Sequence, residues 1–265
     1  MGSLEHANWF MTALFSAMCL IIVGSVLLAQ RGRAMYIRRI PGLTAIEEAV
    51  GRATEMGRPM VFSTGLWGID IVTLQALAIL SYVVKLAARQ ATRIIVAVAD
   101  STIFPIAEES VREAYEVTGR SENYRPEDVR FVSGEQFSYA LGTVGIMARE
   151  QTATNFFFGM FFAEALILTE NGRALGAVQV AGCPDPTQIP FFIATCDYVV
   201  IGDEYYAASA YLTREPTLTG SLVGQDISKA VLIALILVGT IIATRFGAGA
   251  NVAHNVLLHL LARGS

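Results

Sequence analysis

The chain has 265 residues, of which 54% are hydrophobic and only 16% charged, and its formal net charge is −4. Soluble domains carry about 25% charged residues, so the composition points to a membrane, to large buried interfaces, or to both. A negative balance without a basic stripe sets nucleic acid aside as a partner, and three cysteines without a CxxC pair set aside a disulfide framework.

Residues 9–29 carry no charge, and a helix of that length covers roughly 30 Å, enough to cross a bilayer. The eight residues before it hold no Lys or Arg, and the apolar run is too long for a cleaved leader, so a retained span is expected. Arg31, Arg33, Arg38 and Arg39 follow at once. Positive charge stays cytoplasmic, so the N-terminus is expected outside and the chain enters the cytosol near Gln30. Pro41-Gly42 reads as a turn. Thr44 then opens a helix with Glu47 at the capping-box position, and Gly57 stops it.

From residue 59 a pattern recurs: a short apolar run, a small polar turn, then a helical run. The apolar runs are 59–62, 93–99, 129–132, 174–181 and 198–201; the helical runs are 69–89, 106–117, 137–149, 190–195 and 205–212. Such alternation predicts βαβ units and a mostly parallel sheet of about five strands, in a Rossmann-like three-layer α/β domain. Two internal apolar runs, 71–84 and 156–168, fall short of the roughly 17 residues that span a membrane. They are read as buried helices or subunit contacts.

After Pro216 a second span is expected. Residues 230–244 are uncharged, and snorkelling of Lys229 lets the helix start near Ile227. Asp226 and Lys229 then form an interfacial ion pair. Beyond Gly247, a short amphipathic helix with Val252, Val256, Leu257 and Leu260 on one face is expected on the outer side. His254 and His259, five apart, point away from each other and make a poor metal pair. The expected organisation is a transmembrane helix in 1–30, a cytosolic Rossmann-like domain in 31–221, a second transmembrane helix in 222–245, and the outer helix in 246–265.

In a parallel sheet, ligands bind at the carboxyl ends of the strands. Those ends offer Ser63, Thr64, Asp100, Ser133, Glu135, Asp203 and Glu204 as a candidate crevice. The first turn, STGLWG, is neither a G-x-G-x-x-G fingerprint nor a Walker loop, and the crevice is acidic, which suits phosphate poorly. All three histidines lie outside the expected cytosolic domain, which removes the commonest general base. No catalytic residue, metal ligand set or cofactor is assigned.

Several runs carry a family resemblance: IPGLTAIEEAVGRATEMGRPMVF, FFAEALILTENGRALGAVQVAG, TQIPFFIATCDYVVIGDEYYAASAYLTREP and GSLVGQDISKA. They resemble a prokaryotic membrane-protein family known only as a domain of unknown function, over roughly residues 37–229. The resemblance implies the same plan of cytosolic α/β domain and flanking spans, and brings no activity or catalytic residue with it.

The expected function is a membrane-anchored scaffold whose cytosolic domains pack into a homo-oligomer, with the lipid bilayer and itself as partners. Phe156, Phe157, Phe158, Phe161 and Phe162 are its candidate contact. The alternative is a membrane-tethered sensor or enzyme that takes a small ligand or nucleotide in the strand-end crevice. The location expected is the inner membrane, with the main domain cytoplasmic and both termini outside.

Overall fold

The computed structural model describes residues 9–32, 41–213 and 216–246. They form two compact units, an α/β body from 41–213 and a helix pair from the two flanking stretches. The first member of the pair is α1 (Trp9–Gln30).

The body opens with α2 (Pro41–Met56) and β1 (Met60–Gly65). Then come α3 (Ile71–Arg89), β2 (Ile94–Val98), α4 (Phe104–Val117) and β3 (Val129–Phe131). After α5 (Gln136–Glu150) follow β4 (Thr154–Met160), α6 (Glu164–Ala174), β5 (Val178–Cys183), α7 (Ile189–Thr195), β6 (Tyr198–Ile201) and α8 (Asp203–Thr213). The six strands are all parallel, in the order β3-β2-β1-β4-β5-β6. This is the doubly wound arrangement, with its topological switch point between β1 and β4.

The expected α/β class and parallel sheet are therefore present, with one more strand than the pattern suggested. The extra strand is β4, hidden inside the run 156–168 that reads as a helix. A central parallel strand is covered on both faces, so it loses the alternation that marks a strand in sequence. Phe156, Phe157, Phe158 and Phe161 are fully buried. Phe156 and Phe158 stack with Phe62 on one face of the sheet. Phe157 meets Phe161 edge-on, and Phe161 meets Phe192, on the other. These rings build the body's own core. Half-buried Phe162 packs on Trp67. Four of the five rings thus offer no surface to a neighbour, and a subunit contact through Phe156, Phe157, Phe158 and Phe161 is corrected to internal packing.

One face of the sheet is covered by α2, α3, α4 and α8, the other by α5, α6 and α7. Helix α2 begins at Pro41 rather than at Thr44. Thr44 lies inside the helix, within hydrogen-bond distance of the Tyr211 hydroxyl, and Glu47 accepts from Tyr82 at 2.7 Å instead of closing a capping box.

The last helix, α9 (Pro216–Phe246), begins well before Ile227. It runs antiparallel to α1. Gln30 donates to Thr217 at 3.4 Å, Gly220 lies against Val26, and Gly224 lies against Ile22. Gly220, Gly224 and Ser228 recur every fourth residue, the small-residue spacing that lets apolar helices pack closely. Among the described residues, three helices are long and apolar enough to cross a membrane: α1, α3 and α9. In α1 and α9 only 11% of the apolar window is buried, against 56% in α3, which lies on the sheet. The outer helix expected in 246–265, with His254 and His259, falls outside the described residues.

Candidate functional site

The carboxyl ends of the six strands are where this fold places ligands. The chain crosses that edge in six loops, at 66–70, 99–103, 132–135, 161–163, 184–188 and 202. These loops and the helix starts that follow hold Asp70, Asp100, Glu135, Glu164, Asp185, Asp203 and Glu204, and no Lys or Arg. The carboxylates sit at helix N-termini, where the aligned peptide dipoles favour negative charge. A phosphate arriving here would meet that field already occupied, with no guanidinium or ammonium to hold it.

The switch point is closed by backbone. Strands β1 and β4 stay paired past Ser63, through a register shift, to Gly65 opposite Met160. Gly65 has φ +77°, and a side chain there would run into the Met160 carbonyl; one at Gly159 would run into that of Thr64. The Leu66 N–H then donates to the Met160 oxygen at 2.9 Å, and the rings of Trp67 and Phe162 meet 6.3 Å apart beyond it.

The seven residues expected to line a crevice are dispersed. Ser63 and Thr64 are buried. Tyr139 donates to the Ala97 carbonyl at 3.1 Å, so Ser63 donates to the Tyr139 oxygen, 2.6 Å away. Burial pushes the Tyr139 hydroxyl well above its ordinary pKa, so it stays a donor. Asp100 accepts from the hydroxyl and N–H of Thr102, which hold it below the usual carboxylate value. Ser133 accepts from the Glu135 N–H at 3.1 Å, and the Glu135 side chain is exposed. Asp203 and Glu204 open α8. Asp100 and Ser133 thus tie their own turns, and Ser63 belongs to a buried hydroxyl pair beneath the crevice.

Glu164, absent from that set, is fully buried. Its two oxygens accept from the Phe162 N–H at 2.8 Å and from Gln136 at 2.6 Å. It clamps the start of α6 to the start of α5. Its signal in the sequence is a lone carboxylate within an apolar run, which must find partners when buried.

A cleft of about 340 Å³ lies at the opposite, amino-terminal edge of β5 and β6, lined by Arg52, Arg173, Gln179, Thr195, Cys196 and Asp197. Most of its inner wall is hydrogen-bonded from within, the Gln179 side-chain oxygen excepted. Asp197 accepts from the Gln179 N–H at 2.8 Å, and Arg173 donates to the Ala194 carbonyl at 3.3 Å. Gln179 donates to the carbonyls of Thr169 and Thr195 at 2.8 and 2.9 Å. Burial pushes the Cys196 thiol up to about 12, so it stays protonated and unreactive. Among the described residues no group of three or more His, Cys, Asp or Glu is placed to hold a metal ion.

Fold and site together define a doubly wound parallel α/β body, closed and acidic at its switch point, carried on one chain with a pair of long apolar helices. The chain belongs to the family described as the domain of unknown function DUF6754, whose model matches residues 3–253. No curated protein and no solved structure matches it.

Proposed function

We propose that the protein is a membrane-anchored scaffold whose α/β bodies associate with copies of themselves. The observation that carries this reading is large apolar side chains left outside a body whose core is already complete. Phe137, Leu141, Leu166, Phe191 and Ile193 are all exposed on α5, α6 and α7. Exposed apolar groups collected on one side mark an interaction surface. The anchor is α1 with α9, whose apolar faces are almost wholly uncovered and call for lipid. The chain leaves the pair beside Gln30 and returns beside Thr217, and Arg31, Arg33, Arg38 and Arg39 follow the first span. That bias supports a body on the cytoplasmic side of the inner membrane of a prokaryotic cell, with both termini outside.

A second reading, a sensor or enzyme for a small ligand or nucleotide, is favoured by the strand order, which is that of dinucleotide-binding folds. The closed switch point and its uncompensated carboxylates weigh against it. Native mass spectrometry of the full chain in mild detergent and in nanodiscs tests the first reading: two or more copies are expected, and a strict monomer in both refutes it. Thermal shift against a nucleotide and metabolite panel tests the second; a shift lost in Ser63→Ala would revive it.

A further inference from the structure

On α2 and α4 most exposed side chains are charged: Glu47, Glu48, Arg52 and Glu55 on one helix, Glu109, Arg112, Glu113 and Glu116 on the other, with Met56 and Val117 the large apolar exceptions. On the opposite side α5 carries no charged residue between Glu135 and Arg149, although Phe137, Ser138, Leu141 and Ala148 are exposed. A helix that faces water normally turns a charged face to it. Phe137 and Leu141 are 57% and 66% exposed and, four residues apart, lie one above the other. Helix α6 packs against both α5 and α7, and it adds Leu166 while α7 adds Phe191 and Ile193.

We infer that this face, centred on α5, is a two-fold interface with a second copy of the chain, in which α5 packs antiparallel on itself about Leu141. The inference rests on the self-association reading and names its surface. Three points select a second copy over other occupants. The helix is self-complementary end to end: it is preceded by acidic Glu135, apolar through Phe137 and Leu141, and basic near its end at Arg149, whose guanidinium folds back beside Gly145. Among the described residues neither Glu135 nor Arg149 has an ion-pair partner within the subunit. A two-fold axis across the middle of this helix, about 22 Å long, brings the acidic end of each copy to the basic end of the other, as an isologous contact requires.

Secondly, the stripe has no Lys or Arg before Arg149, so it lacks the positive charge that draws a protein surface to anionic lipid. Thirdly, the size suits a tethered dimer. Three helices about 22, 16 and 10 Å long, side by side at about 10 Å spacing, present roughly 500 Å² per copy, at the bottom of the range for a stable complex. Confinement of both copies by their anchors raises the effective concentration and offsets the modest area.

The test uses the full chain in nanodiscs. Leu141→Cys, in a Cys19→Ser background, is oxidised to a zero-length disulfide, with Glu113→Cys on the charged side as the comparison. Leu141→Glu and Phe137→Glu are examined by native mass spectrometry. Both sites are exposed, so an unchanged thermal melt confirms that the variants fold. The expected result is an efficient cross-linked dimer in the Leu141→Cys protein and none in the Glu113→Cys protein, with a dimer dissociation constant raised at least about tenfold by either glutamate. Oligomers that persist in both glutamate variants, without a cross-link in the Leu141→Cys protein, overturn the interface while leaving self-association standing. A monomeric wild type overturns both.

Discussion

Gly172 tests how the sheet carries its buried amides. It lies on α6 directly over β4 and β5, where Asn155 and Gln179 are register partners. A Cβ at Gly172 would run into Oε1 of Gln179 and sit 2.7 Å from Nδ2 of Asn155 and 3.0 Å from Cδ of Gln179. Gln179 has little room to retreat, because its amide nitrogen is held by two buried carbonyls, at 2.8 and 2.9 Å. Asn155 is held in turn by Thr152 at 2.8 Å.

In Gly172→Ala two effects compete. Alanine favours the helix by about 1 kcal/mol. Crowding a packed site costs about 1–3 kcal/mol, and each buried group pulled off its partner costs about 1–3 kcal/mol more. With one bond lost, the net destabilisation is about 1–5 kcal/mol, a fall of roughly 3–15 °C in melting temperature for a body of this size. Gly51→Ala is the control. That glycine is also helical, but nothing lies within 4 Å of its Cβ position, so only the helix term acts and the melting temperature rises by about 2–3 °C. Thermal unfolding of the purified protein, followed by circular dichroism, reads both. A Gly172→Ala protein as stable as wild type would refute the packing of this amide pair beneath α6.

The helix pair offers a second test. Side chains at Gly220 and Gly224 would meet the backbone of Val26 and Ile22 at 2.7 and 2.8 Å, so Gly220→Leu or Gly224→Leu forces α1 and α9 apart; a short thiol cross-link between Gln30→Cys and Thr217→Cys should form in the parent and be lost in either variant. At the amino-terminal edge, Glu150 accepts from Arg130 at 2.9 Å and Arg93 at 2.8 Å, and Arg93 also holds Asp128 at 2.5 Å. The Arg130 hydrogen bond, with both guanidinium charges, lowers the Glu150 pKa. A lowered carboxylate pKa adds stability above the unfolded value of about 4.3, and that stability is lost as pH falls through the folded value. Glu150→Gln should therefore cost about 1–2 kcal/mol near pH 7 and flatten the acid limb of the stability curve; equal slopes in urea titrations from pH 6 to 3 would count against the network. Tyr139→Phe strands the Ser63 hydroxyl and the Ala97 carbonyl, and should destabilise the body by about 1–3 kcal/mol, whereas an unchanged urea midpoint would show the hydroxyl pair to be unimportant.

The legibility of the chain followed the burial of each strand and the reach of each polar group. Tyr198–Ile201 was readable to the residue, because it is short and bounded by turn residues. Residues 71–84 read as a buried helix, and α3 lies there on the sheet. Residues 156–168 misled, because an apolar run keeps no trace of whether it folds as a covered strand or a covered helix. Of the candidate site residues chosen by position at strand ends, Asp100 lies in the loop after β2, whereas Ser63 and Thr64 lie inside β1. The long-range partners were not readable, since Tyr139 reaches Ser63 and Gln136 reaches Glu164 from elements far away in sequence.

From sequence alone came the α/β class, the parallel winding, the long apolar helices and the acidic strand ends. These rest on composition, periodicity and turn chemistry, which act locally. The tertiary structure alone decided that the phenylalanine run is a central strand, that β1 and β4 close the switch point, that Glu164 is a clamp, and that α5 turns an uncharged face outward. Each of these depends on which distant segments are neighbours, and that is set by packing the whole body at once.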